Sequence, residues 1–528
     1  MASNADSLDH SQLKPFSGFW VWLFLSCLLG LEILLQSQSL IGIDMSWLLH
    51  ATRRFLDGGN YWSDFFEINP PMVLYINVAP VLLAGFLKIS TINAFRIYVF
   101  SLALISFCVC RRLLSQMISP RDSWIYFLLL TAIFIDMIVL PGYHFGQREH
   151  IATLLVLPYF LLAVMRTSQS IIKTHDAIGV GMMAGVGFMI KPHFLFAFLL
   201  VELYVWFRAK SFWSLFRYES VLVGLVAVFY VFSVFWLTPE YFKLIPYIRD
   251  FFSLFLFSSR SWAVMLTEEK MIYFLLAAML FFLMRKTILY RDVAVILLLA
   301  ALGFFLSYIV EPLYLPYHTI PMFAFSILLV TLLFAGFVMR QLSPQKVIKK
   351  RFWKVWVWSF WLMMIAGFPA YAIYQDHAVM VLQKQSVREN QLIQFMKSVA
   401  NGKKITVFST DAQNTYPLVD YAGAESISRF ETFWVLPYMA NLSLLHTSSA
   451  ENLRHQQENF FIKAVTEDME KGQPAYVFMD AIVGWGLFDD IPFDYIKFFE
   501  QSAQFREIWK KYRYVTQIDD MKIYKRIE

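Results

Sequence analysis

The chain has 528 residues, of which 58% are hydrophobic, 18% aromatic and only 16% charged, with a mean hydropathy of +0.53. Soluble domains carry about a quarter charged residues, so the composition excludes an ordinary soluble protein and indicates a polytopic membrane protein. The net charge of +6 fits lysines and arginines on cytoplasmic loops better than nucleic-acid binding, and no nucleic-acid partner is expected.

In chain order, MASNADSLDHSQLKPFSGFW (1–20) puts a polar lead before an apolar segment that no small-residue cleavage pattern follows, so it reads as an uncleaved first helix. A spanning helix needs about 20 mostly apolar residues. Stretches near 19–40, 94–110, 124–141, 151–166, 176–190, 194–207, 219–237, 271–284, 293–310, 319–339 and 355–375 qualify as eleven candidate spans. The apolar stretch 72–87 is short and has Pro80 at its middle, which favours a re-entrant or interface-lying helix.

Positive charge then assigns the sides. Clusters stand at Arg111/Arg112, Arg166 to Lys173, Arg208 to Arg217, Arg285 to Arg291 and Arg340 to Lys354. All fall on the cytoplasmic side only if 72–87 does not cross. The N-terminus is then inside, and 41–93, 142–150, the turn at 191–194, 238–270, 311–318 and everything after about 376 are outside.

The last 150 or so residues change character, with strand-like KITVFST (404–410), AYVFMD (475–480) and MKIYKRI (521–527) among helical segments. The expectation is a transmembrane domain over 1–376 and a small extramembrane α/β domain over 377–528. Cys27, Cys108 and Cys110 all lie in apolar segments, so the C-terminal region cannot depend on disulfides.

Polar chemistry collects on the outer side. In GIDMSWLLHATRRFLDGGNYWSDFFEINPP (42–71), Met45, Leu48, Leu49, Thr52, Phe55 and Leu56 share one helical face, with His50, Arg53, Arg54 and Asp57 opposite. This predicts an amphipathic surface helix ended by Gly58-Gly59. Asp44 sits where the first span emerges, as an active-site base or as an N-cap. Glu149, in a loop with His144, Gln147, Arg148 and His150, is either a site residue or the partner of Arg148 at a helix start. Lys191 and His193 in MIKPHF suit an anionic headgroup, with snorkelling of the lysine as the alternative. His318, near Glu311, is a similar case. The run GVGMMAGVG (179–187) contains a dinucleotide-like glycine pattern, but it lies inside an apolar helix with no preceding strand and reads as small-residue helix packing.

An aspartate at the exit of the first span, a long first loop with an amphipathic helix, the Pro-Pro of SDFFEINPPMVLYINVAP (63–80) and a C-terminal outer domain together resemble the GT-C superfamily of polytopic glycosyltransferases. Protein O-mannosyltransferases and lipid A aminoarabinose transferases share this plan. FGQREHIATLLVLPYFLLA (145–163), IKPHF (190–194) and PYHTIP (316–321) resemble segments of bacterial membrane proteins of the same superfamily.

The resemblance implies a bacterial inner-membrane enzyme that moves a sugar from a polyprenyl-phosphate donor to a cell-envelope glycan or lipid on the periplasmic face. A protein O-glycosyltransferase of the same fold and a lipid-linked sugar flippase are the alternatives. It implies Asp44 as the base and Glu149 as the second-loop acid, with Lys191 and Arg148 first, then His193, Arg53, Arg54 and His318, as cations for the departing phosphate. Asp64 and Glu67 are further first-loop acids. No metal ligands are assigned: Asp44 is followed by Met45 where many relatives carry a second acid, and dependence on a divalent ion is left open.

Overall fold

The computed structural model describes residues 18–168, 170–257, 262–311, 315–342, 351–389, 391–442, 448–481 and 493–527. The chain forms two compact units: Met1–Gln38, Arg96–Tyr230 and Ser261–Met380 make the first, and Ser39–Phe95, Val231–Arg260 and Val381–Glu528 the second. The second unit thus groups the first loop and the segment 231–260 with the C-terminal region.

Among the described residues seventeen α-helices precede the first strand: α1 (Gly18–Gln38), α2 (Ile43–Leu56), α3 (Met72–Leu87), α4 (Thr91–Met117), α5 (Ser123–Phe134), α6 (Arg148–Thr167), α7 (Thr174–Ile190), α8 (Leu195–Ala209), α9 (Tyr218–Leu237), α10 (Tyr241–Phe257), α11 (Trp262–Thr267), α12 (Glu269–Met284), α13 (Arg291–Val310), α14 (Ile320–Leu342), α15 (Arg351–Leu362), α16 (Phe368–Glu389) and α17 (Gln391–Ala400). Helix forms at all eleven expected spans. Among the described residues nine segments are long and apolar enough to cross a membrane. The other two, α7 and α12, have 17 and 16 residues. At about 1.5 Å per residue they fall a few ångströms short of a 30 Å hydrocarbon core.

The first unit is packed through small residues. A Cβ on Gly303 of α13 would lie 2.2 Å from the Ala197 Cα of α8, and one on Gly187 of α7 would lie 2.7 Å from Val156 of α6. Gly185, in the same run, would meet Val226 of α9 at 2.7 Å. The glycine-rich run of α7 is thus a helix-packing surface, as expected. Since the 2.2 Å clash is with backbone, Gly303→Val is expected to destabilise by about 3 kcal/mol, the upper range for overpacking, measured by thermal unfolding in detergent. Gly179→Ala, at a glycine with open space around it, serves as the control.

At one end of these helices ion pairs tie neighbours together. Arg166 binds Glu219 at 2.8 Å and Arg217 binds Glu202 at 2.5 Å. The opposite ends of α6, α8 and α13 carry the loops that hold the polar cluster described below.

In the second unit a five-stranded sheet has the order β2-β1-β3-β5-β4, with β1 Lys404–Phe408, β2 Glu425–Ser426, β3 Tyr476–Asp480, β4 Tyr512–Ile518 and β5 Met521–Arg526. β1 pairs in parallel with β2 and β3, while β5 is antiparallel to β3 and β4. The three expected strands are present; β4 and the two-residue β2 are additions. Every residue of central β3 is buried, and the stretch 414–434 contributes Tyr416, Leu418, Val419, Phe430 and Phe433 to the core.

The first loop packs on this α/β region. Arg54 donates to the carbonyls of Ser428, at 2.8 Å, and of Asp64 and Ser426. The Phe66 amide donates to the Arg429 carbonyl at 2.6 Å, and the Trp62 and Phe66 rings lie against Phe460. α2 is not an amphipathic helix with His50 on a wet face: residues 45–52 are all buried, and the His50 ring stacks on Trp47 and contacts Tyr416. Burial, then Arg54 and Arg53, hold the His50 pKa well below its ordinary value, which keeps the ring neutral. α3 runs through Pro80 without a break and spans 16 residues, about 24 Å.

Candidate active site

Four segments of the first unit converge on one buried cluster. Glu149 stands in the first turn of α6, which follows a loop turned by Gly146 at φ +87°. Lys191 ends α7 in extended geometry, and Pro192 stops the helix from continuing. Glu311 caps α13, and His318 lies in the 3-10 turn Pro316–Thr319 that leads into α14.

The Lys191 ammonium is the centre of the cluster. It lies 2.6 Å from Glu149 Oε1, 2.5 Å from Glu311 Oε1 and 3.2 Å from His318 Nε2. Lys191 is 2% exposed, so it does not snorkel, and Glu149 is fully buried and pairs with Lys191 rather than with Arg148. His193 Nε2 approaches the other Glu311 oxygen at 3.6 Å. Glu149 faces the ammonium closely, yet neither of its oxygens accepts a well-angled hydrogen bond. A fully buried carboxylate with acceptor capacity in hand is what a ligand hydroxyl or a proton-transfer step can use.

Burial works against ionisation of Glu311, but Lys191, and then His318 and His193, hold its pKa well below the usual carboxylate range. A depressed carboxylate contributes stability that is complete above its unfolded pKa, about 4.5, and that is lost as pH falls from there toward the folded value. Thermal unfolding temperatures should therefore drop more steeply for the wild type than for Glu311→Gln below that pH. Parallel curves would mean that Glu311 is not held ionised.

One oxygen each of Glu149 and Glu311 and one His318 nitrogen lie within 4.8 Å of one another, a set that could ligate a divalent cation. Lys191 Nζ, however, stands within 3.2 Å of all three ligand residues. An ion there would have to displace the ammonium, so the donor set as arranged fits a lysine and not a metal.

A second group adjoins this cluster. Arg148 Nη2 donates to Tyr317 Oη at 3.2 Å, with the guanidinium over the Tyr317 ring. His144 contacts the same ring and lies 3.7 Å from Asp376, which Lys270 approaches at 3.8 Å. The structure thus brings together Glu149, Lys191, His193 and His318, with Arg148 beside them. Sequence reasoning had noted Glu311 only as a neighbour of His318, and it missed Tyr317, Lys270 and Asp376. The available signal was an ionisable residue bordering an apolar run.

The first-loop residues belong to the second unit. Asp44 is half-buried in the first turn of α2, two residues after the N-cap Gly42. Arg53 donates to Thr91 at 2.6 Å. Arg54 has its guanidinium on three carbonyls, a structural use. Glu67 accepts from the Trp47 indole at 2.6 Å and from the Asn69 amide at 2.7 Å. Asp64 accepts from the Asn60 amide and from Lys471 at 2.8 Å; these bonds outweigh burial and lower its pKa. Both acids therefore have full sets of loop-ordering contacts.

No protein-family model matches the sequence, and no curated protein matches it either. Solved structures do. ArnT from Cupriavidus metallidurans bound to undecaprenyl phosphate aligns with a TM-score of 0.54 at 12% identity, over 96% of this chain and 98% of that one. The apo form of ArnT gives 0.53 at 13% identity, with the same coverage. The archaeal oligosaccharyltransferase AglB from Archaeoglobus fulgidus, in complex with an inhibitory peptide and a dolichol-phosphate, gives 0.41 at 12% identity over 94% and 73%. The likeness to ArnT covers 96% of this chain and 98% of that one, and the chain therefore shares its fold.

Proposed function

We propose that this protein is an integral membrane glycosyltransferase that moves a sugar from a polyprenyl-phosphate donor to a cell-envelope glycan or lipid acceptor. The observation that carries the reading is the buried cluster around Lys191, set where loops meet the ends of α6, α7, α13 and α14, in a fold shared with an ArnT structure that holds undecaprenyl phosphate.

In the proposed reaction an acceptor oxygen bonds to the anomeric carbon as the bond from that carbon to the phosphate oxygen breaks, so phosphate leaves on the lipid. Asp44 takes the acceptor proton. Charge develops on the departing phosphate, and preorganised cations lower the barrier most when they need not reorganise. Arg148 and His193 are the cations of the first unit beside the cluster. Lys191, already shared by two carboxylates, supplies the fixed centre that holds Glu149 and His318 in place. In this reading the basic helix ends face the cytoplasm, and the cluster and the C-terminal domain face the periplasm of a bacterial inner membrane.

Transfer into an acceptor fraction tests the reading. In proteoliposomes carrying the chain and a radiolabelled polyprenyl-phosphate sugar, label should move from the lipid-extractable fraction to envelope lipid or glycan. Label that instead appears intact on the opposite leaflet, with no new linkage, would support a flippase.

A further inference from the structure

α6, α8 and α13 each carry the Lys191 cluster or its loops at one end and line a different cavity at the other. This cavity, of about 580 Å³, lies in the first unit and is lined by Gln116, Ser168, Tyr204, Arg208, Arg291 and Asp292, among others. Between the two ends run 15 to 20 helical residues, from Arg148 to Val164 and Ser168 on α6 and from Arg291 to Val310 on α13. At about 1.5 Å per residue that is roughly 25 Å, so the cavity opens at the opposite membrane face and shares nothing with the proposed transfer site.

Its chemistry is that of an anion site. The one acid among these residues, Asp292, is already satisfied, by Arg208 at 3.0 Å and by the Tyr204 hydroxyl at 2.6 Å. Arg291 is exposed and, among the described residues, makes neither ion pair nor hydrogen bond. Its charge is therefore uncompensated. The first turn of α13 lines the cavity at Arg291, Asp292 and Val293, and the positive end of a helix dipole with its unbonded amides favours negative charge there. Ser168 and Gln116, also in the lining, already donate to the Met165 and Arg112 carbonyls, and Ser170 is bonded to Ser168. Arg112, Arg166 and Arg217 lie at the same helix ends but are paired with Asp176, Glu219 and Glu202, and Arg208 is paired with Asp292, which leaves Arg291 as the unpaired arginine of the lining among the described residues.

We propose that this cavity binds the phosphate of an anionic phospholipid headgroup, with Arg291 as its principal ligand and the α13 amides as supporting donors. A phosphate held there would join α4, α6, α8 and α13 at the basic face of the membrane. The shared chemistry is a phosphate monoanion; the lipid is the favoured source because the cavity lies at helix ends where the headgroup layer falls and where the surplus of basic residues attracts anionic lipid.

The test uses the full chain in detergent, titrated with short-chain phosphatidylglycerol, short-chain phosphatidylcholine or inorganic phosphate, with bound lipid read by native mass spectrometry and stability by thermal unfolding. Phosphatidylglycerol should bind and stabilise more than phosphatidylcholine. Arg291→Gln, which removes no internal contact, should weaken that binding about fivefold, the effect of one basic residue near a lipid surface. Arg285→Gln, on the same face but outside the cavity, should leave it unchanged. Equal binding of the two lipids, or equal weakening by both variants, overturns the proposal. Stabilisation by inorganic phosphate that matches the lipid's and disappears in Arg291→Gln overturns the lipid source in favour of a free anion.

Discussion

Lys191→Met should be the most destabilising single substitution in the membrane unit. Its ammonium lies within 2.6 Å of two carboxylates, and one of them, Glu149, is fully buried. Methionine fills similar volume but leaves Glu149 and Glu311 facing each other with no intervening charge. Removing one partner of a buried ion pair typically costs about 3 to 5 kcal/mol, because the remaining charge stays desolvated. Thermal unfolding in detergent at neutral pH reads the loss. The double variant Lys191→Met/Glu311→Gln should recover part of it, since one of the stranded charges is then neutral. Additive effects would show that the two side chains are not coupled.

Asp44→Asn should have the largest effect on transfer. The side chain is half-buried in the first turn of α2, and asparagine matches it in shape while removing the proton acceptor. If Asp44 accepts the acceptor proton, its loss should reduce the transfer rate by about 10²- to 10⁴-fold, the range for general-base catalysis, with no change in unfolding temperature. A variant that retains wild-type turnover would remove Asp44 from the mechanism. Glu149→Gln reads differently: it weakens the hold on Lys191, so its effect on turnover should come with a lower unfolding temperature.

Much of the site was legible because a lipid environment makes ionisable side chains conspicuous. Glu149, Lys191, His193 and His318 all border apolar runs, where each is costly and needs a reason, and the structure brings all four together. Lys270 and Asp376 escaped notice because TEEKMIY (267–273) and YQDHAVM (374–380) read as ordinary polar edges of helices. The first-loop residues show the opposite failure. Arg54, Asp64 and Glu67 looked like free charges beside a membrane, yet Arg54 binds carbonyls at 426 and 428, and Asp64 binds Lys471, 407 positions away. No local pattern encodes partners that distant. The same holds for His50, placed on a polar face by helical periodicity and buried by a tyrosine from the C-terminal region. In the sheet, β1, β3 and β5 stood out as apolar runs, whereas β4 has mostly exposed positions and β2 has only two residues.

Donor choice in the purified, reconstituted chain tests the central claim most directly. Supplied separately with a polyprenyl-phosphate sugar and with the matching nucleotide sugar, and in each case with an envelope acceptor, the protein should consume only the lipid-linked donor and release polyprenyl phosphate in step with the glycosylated product. Consumption of the nucleotide sugar alone, or product formed without release of the lipid phosphate, would contradict the account.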